Sequence, residues 1–138
     1  MPLSLTGSIQ TIRAIARGSL DDLGYFLEGV LRREHQGIRT PLTASAAVPA
    51  GTTVIELNHA TVAIAATIAD FKNHIGLLAV VNTSASGTAA HTVTIGTGTW
   101  NGTNTVATLN APGKALLIHV DQYGVGTVVL NSGTVTFS

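Results

Sequence analysis

Turn-forming pairs break the chain from Thr52 onward into pieces too short for long helices. They are Asn58-His59, Ser86-Gly87, Asn101-Gly102, Pro112-Gly113, Tyr123-Gly124 and Ser132-Gly133, all with residues that favour tight turns. The pieces between them are rich in Val, Ile and Thr, which suit a pleated strand. Expected strands are Thr52–Asn58, Thr61–Thr67, Gly76–Asn82, His91–Ile95, Thr105–Leu109, Ala115–Val120, Gly126–Leu130 and Thr134–Phe137. Val93 and Ile95 flank Thr94, and Val135 and Phe137 flank Thr136, so apolar side chains fall on one face. Leu77 to Val81 and Ala115 to Ile118 are continuous apolar runs, the pattern of central strands covered on both faces. Asp70–His74 reads as one helical turn or a loop. The expected fold is mainly β, an antiparallel β-sandwich or jelly roll of about eight strands. No period of 20–50 residues marks a solenoid or propeller.

The N-terminal part has a different pattern. Leu20, Leu23, Leu27, Val30 and Leu31 recur three and four apart after Ser19, the spacing of one helix face behind a capping residue. Asp21 and Asp22 stand at the positive end of this helix, and Arg32 and Arg33 at the negative end. Gly37 is a natural stop. Ile9, Ile12 and Ala16 suggest a shorter helix near 8–17. Short helices cannot build a core alone, so the apolar stripe must dock on something. Between Thr40 and Gly51, Pro41, Pro49 and small residues favour extended chain. The expected organisation is a helical arm over 1–39, an extended linker over 40–51 and a β-sandwich over 52–138.

Composition excludes several functions. Seven basic and seven acidic residues give zero net charge, and two lysines form no basic stripe, which argues against nucleic acid as a partner. The absence of cysteine removes disulfides, thiolate metal sites and a cysteine nucleophile. The longest apolar run, Val62 to Ala69, is about ten residues short of a membrane span, and no membrane partner is expected. Residues 1–20, with Gln10, Arg13 and Arg17, lack the apolar stretch of a signal peptide. Only 10% of residues are charged, against roughly 25% in ordinary soluble domains. A surface so poor in charge is suited to burial against other subunits.

The residues offer little chemistry. The five histidines form no H-x-H or H-E-x-x-H pattern. His119 and Asp121 are two apart and would share a strand face, a pairing able to orient an imidazole or simply to end a strand. No G-x-S-x-G or S-x-x-K signature is present, and Gly96-Thr97-Gly98 precedes no helix, unlike a dinucleotide loop. The chain reads as no enzyme, with no catalytic residue, cofactor or metal. Trp100, beside Asn101-Gly102, is the candidate ligand or interface residue: either a sugar platform on a loop or a packing residue at an edge. Asn82-Thr83-Ser84 and Asn101-Gly102-Thr103 match the glycan-acceptor pattern.

Two stretches carry a family resemblance. Pro112-Gly113-Lys114 opens the apolar segment Ala115-Leu116-Leu117-Ile118, and Val129-Leu130-Asn131-Ser132-Gly133-Thr134-Val135 closes the chain. Upstream, Asn82-Thr83-Ser84-Ala85-Ser86-Gly87 precedes Thr92-Val93-Thr94-Ile95. Together they resemble the small β-domains of tailed-bacteriophage capsid decoration (cement) and head-fibre proteins. The resemblance implies a structural virion protein on the capsid surface, made in the host cytoplasm, with the major capsid protein as partner and a homo-trimer as its assembly. The arm residues Leu20, Leu23, Leu27, Val30 and Leu31, with Arg32 and Arg33 at the rim, would then clamp neighbouring subunits. A fibre or baseplate component is the structural alternative, and a carbohydrate-binding module centred on Trp100 is the alternative of another class.

Overall fold

The computed structural model describes residues Ile38–Ser138. The arm residues Leu20, Leu23, Leu27, Val30, Leu31, Arg32 and Arg33, and both expected helices, lie outside the described residues.

Among the described residues eleven strands run in the order β1 (Ile38–Leu42), β2 (Ala46–Ala47), β3 (Thr52–Leu57), β4 (Ala65–Asp70), β5 (Gly76–Asn82), β6 (His91–Thr97), β7 (Thr99–Trp100), β8 (Val106–Leu109), β9 (Ala115–Val120), β10 (Val125–Ser132) and β11 (Thr136–Phe137). A 3-10 turn, Phe71–His74, joins β4 to β5. Sheet A has the order β1-β3-β5-β9-β10-β7 and sheet B the order β11-β8-β6-β4-β2. Inward side chains of both sheets share one buried cluster: Ile55, Leu57, Leu78, Val80, Leu116, Ile118 and Val120 from sheet A, and Ala66, Ile68, Val93, Ile95, Ala107 and Leu109 from sheet B.

The mainly β character stands, but the expected antiparallel pairing does not. Both sheets are mixed. β1, β3 and β5 are parallel neighbours in sheet A, and β2, β4 and β6 are parallel neighbours in sheet B. The cause is the path of the chain. From β1 to β6 it alternates between sheets, so each strand returns to its own sheet only after crossing the other. A parallel pair needs such a crossover, usually made by a helix; here the opposite sheet's strand makes it. The returns start at residues 38, 52 and 76, and these unequal steps leave no repeat in the sequence. Antiparallel pairing enters only with β8, β9, β10 and β11.

Residues 40–51, expected as an extended linker, contribute the end of β1 and all of β2 to the sheets, with a bend at Thr43–Ser45 between them. β1 pairs with β3 and β2 with β4, and Leu42 and Val48 are buried in the core. The β unit therefore starts at Ile38. Thr61–Ile64, expected as the start of a strand, is loop, and the strand begins at Ala65.

The 3-10 turn closes one part of the core. Asp70 caps it by accepting from the Lys72 N–H at 2.9 Å. Its first residue, Phe71, is fully buried and meets Trp100 edge-on, with ring centroids 4.9 Å apart, a favoured aromatic geometry. The fit depends on Gly98. Its φ is +113°, and a Cβ there would lie 2.6 Å from the Gly124 carbonyl oxygen and 2.7 Å from Phe71 Cβ. Only glycine meets both demands.

Candidate functional site

Three candidates from the residue pattern resolve into structural roles. Trp100 lies on β7, not on a loop, and is fully buried between Phe71 and Phe137. It presents no ring face to a sugar. His119 is exposed on β9, and Asp121 follows it at the β9–β10 turn. The Asp121 carboxylate accepts from the Tyr123 N–H at 2.8 Å and the Val125 N–H at 3.0 Å. These bonds, Val125's above all, hold its pKa below the usual carboxylate value, with the charge of His119 a minor contribution. Asp121 organises a turn rather than an imidazole. Asn82 is buried, with its amide engaged by Ser84 N–H and the Leu109 carbonyl, so it cannot accept a glycan in the folded chain.

The fold creates one Ser–His contact that no motif announced. His91, fully buried on β6, lies with Nε2 3.3 Å from Ser84 Oγ. Its Nδ1 accepts from the Ile64 N–H at 3.0 Å, so in the neutral ring the proton sits on Nε2. Ser84 Oγ accepts from the His59 N–H at 3.0 Å and donates to the His59 carbonyl at 3.1 Å. The hydroxyl proton is therefore directed away from the imidazole, which already carries hydrogen on the facing nitrogen. General-base activation needs the reverse arrangement. The contact fastens two loops. Among the described residues no group of three His, Asp or Glu side chains is placed to hold a metal.

What remains is a surface. In sheet A, Leu78, Val80, Leu116, Ile118 and Val120 point inward, so their strand neighbours point outward. Strand register then sets Arg39, Val54, Ala79, Leu117 and Leu130 side by side in one row across five strands. At ~4.8 Å per strand the row runs about 19 Å. Leu77 and Val81 flank it on β5 and Ala115 on β9. Leu130 is 56% exposed and Leu77 47%; Val54, Ala79, Val81 and Leu117 are half-buried. The adjoining bulge residue Val129 is 58% exposed. Every described element belongs to a sheet or to the 3-10 turn, so none covers this face. The expected second cover for the apolar runs of β5 and β9 is thus not supplied by the described residues. The same face carries Arg39 on the edge strand, paired with Glu56 on β3, and His119 on β9 beside Leu77.

The outer face of sheet B has another composition. Thr92, Thr108 and Thr136 are lateral neighbours, as are Ala47, Thr67, Thr94 and Val106. Hydroxyl groups and small side chains solvate that face without charge.

Comparison with known proteins adds no relative. The chain matches no family model, no curated protein and no solved structure.

Proposed function

We propose that this chain is a structural assembly protein, a capsid decoration protein that binds the outer surface of a viral shell and reinforces it. The observation that carries the proposal is the apolar row Val54–Ala79–Leu117–Leu130 across the outer face of sheet A. It lies on a unit whose only charged side chains between Ile38 and Ser138 are Arg39, Glu56, Asp70, Lys72, Lys114 and Asp121. Burying such a face removes apolar surface from water with little charge to desolvate. Permanent assemblies use interfaces of this kind. Many copies on a symmetric shell let modest single contacts add. In this proposal the protein assembles as a trimer, and its residues 1–37 clamp neighbouring subunits through the Leu20–Leu31 stripe.

The first test is stoichiometry. Quantitative mass spectrometry of purified particles should give a simple lattice fraction of one copy per major capsid subunit. A handful of copies would move the protein to a fibre or baseplate, and no particle association would end the virion proposal. The clamp has its own test, and the fold sets the boundary of the truncation. Removing residues 1–37 leaves β1 in place, whereas a cut at residue 45 would take Leu42 from the core. The 38–138 chain should fold and bind particles at least tenfold more weakly. Full affinity would overturn the clamp.

A further inference from the structure

The loop between β3 and β4 is held by imidazole nitrogens. His59 Nδ1 accepts from the Thr61 N–H at 3.2 Å and the Val62 N–H at 2.9 Å. His91 Nδ1 accepts from the Ile64 N–H at 3.0 Å. Three backbone donors within four residues therefore depend on the lone pairs of two rings. An imidazole offers that lone pair only while neutral; once protonated, both nitrogens are donors. We propose that the segment Asn58–Ile64 is a pH-released latch, let go when the buried His91 takes up a proton.

The surroundings make the release local and one-way in sign. The latch is fastened to the Thr83–Ala90 loop through Ser84, whose hydroxyl bonds both the N–H and the carbonyl of His59. The two loops meet so closely that a Cβ on Gly87 would lie 1.9 Å from the Ala60 carbonyl oxygen. Neither loop carries an acidic side chain able to stabilise an imidazolium. Of the elements around them, β3 carries Glu56, which pairs with Arg39, and the segment before β9 carries Lys114, which donates to the Thr134 carbonyl. β4 carries Asp70, which caps the 3-10 turn at the strand's far end, while β6 and β8 carry no charged group besides His91 itself. The charge that His91 feels is that of His59, which opposes a proton on His91. Burial is the leading cause that depresses the His91 pKa below its usual 6.5, outweighing the opposite pull of the His59 carbonyl. Acid thus forces a choice between a buried cation with a broken bond to Ile64 and an opened loop. Opening uncovers Ile64 and His91 at one end of the core, both buried when the latch is closed. The inference stands apart from the proposed virion role, because it needs only the folded chain.

Amide hydrogen exchange on the full-length chain, followed by NMR, tests the latch. Between pH about 7.5 and about 5, the range in which histidine titrates, protection of Thr61, Val62 and Ile64 relative to their intrinsic rates should fall tenfold or more. Val93 and Ile118, in the strands, should keep theirs. His59→Ala should leave Thr61 and Val62 unprotected at both pH values while Ile64 still loses protection in acid. This variant spares the buried His91, so a folding failure does not cloud the result. Nitrogen-15 shifts of both rings at neutral pH should place the proton on Nε2. Unchanged loop protection in acid, loss shared equally by Val93 and Ile118, or a proton on Nδ1 at neutral pH would each overturn the proposal.

Discussion

The two sheets share a core and differ on their outer faces. Sheet A turns Val54, Leu77, Ala79, Val81, Leu117 and Leu130 outward beside Glu56 and His119, and sheet B turns out Thr67, Thr92, Thr94, Thr108 and Thr136 beside Ala47 and Val106. Both sets occupy the same kind of site, an outward position in a strand whose alternate residues are buried. Folding alone asks the same of both faces, a β-branched or apolar residue that suits the pleat. Threonine meets that demand and solvates itself; leucine and valine meet it and leave apolar surface in water. The fold of this unit does not explain the difference between the faces, and the proposed docking role of sheet A rests on that difference.

Substitutions can break or sharpen this contrast. The largest effect should come from the core that the sheets share. Trp100→Ala removes a buried ring between Phe71 and Phe137 and should cost about 3–5 kcal/mol in denaturant unfolding. Both outer faces would lose their scaffold together, so a loss confined to one sheet would contradict the single core. Gly98→Ala should follow, at about 2–4 kcal/mol, because the added methyl meets backbone at a positive φ. Next comes the contrast itself. Leu117→Lys with Ala79→Lys should cut particle binding tenfold or more, about 1.4 kcal/mol, with the fold preserved by circular dichroism. Thr94→Lys on sheet B should bind as the parent does, and equal losses on both faces would erase the distinction. The smallest effect should be Thr94→Val, which changes stability by less than about 0.5 kcal/mol.

Acid should weaken the two ends of the unit in turn. In the folded chain His91 has a lowered pKa, so the unfolded chain binds more protons in that range. The stability tied to neutral His91 is complete above its unfolded value near 6.5 and drains away as pH falls through the lower folded value. Asp121, also lowered, contributes above the ordinary carboxylate range and loses its contribution further into acid. Thermal unfolding measured against pH should therefore decline in two steps, the first removed in a His91→Gln variant.

How far the residues announced this structure depends on the range of the interaction. Turn pairs and alternating Val and Thr are local signals, and they located most strands to within a few residues. β5 and β9 were legible as central from their unbroken apolar runs, and they occupy the middle of sheet A. Parallel pairing was not legible, because nothing in β1, β3 or β5 differs from an antiparallel strand; direction follows from crossovers through the other sheet. Trp100 beside Asn101-Gly102 is legible as either a loop platform or a packing residue; the packing role is the one observed, and it depends on Phe71, 29 positions earlier. The histidine latch escaped for a related reason. Its partners are backbone N–H groups, which every residue owns, and His91 reaches one 27 positions away. The signal available was modest: His59 beside turn residues, and a histidine opening an otherwise apolar alternating strand.

The alternating path also orders events in time. The parallel part of sheet A, β1-β3-β5, joins the rest only when β9 lies beside β5, pairing residues 76–82 with 115–120. At synthesis rates of ~5–20 residues per second, β9 leaves the ribosome about 2–8 s after β5. For that interval the β5 edge of these apolar strands stays open, and pairings this distant in sequence close slowly. The row that crosses β5, β9 and β10 does not exist before then. The apolar row proposed as a docking face is therefore a late product of synthesis, which separates making that face from using it.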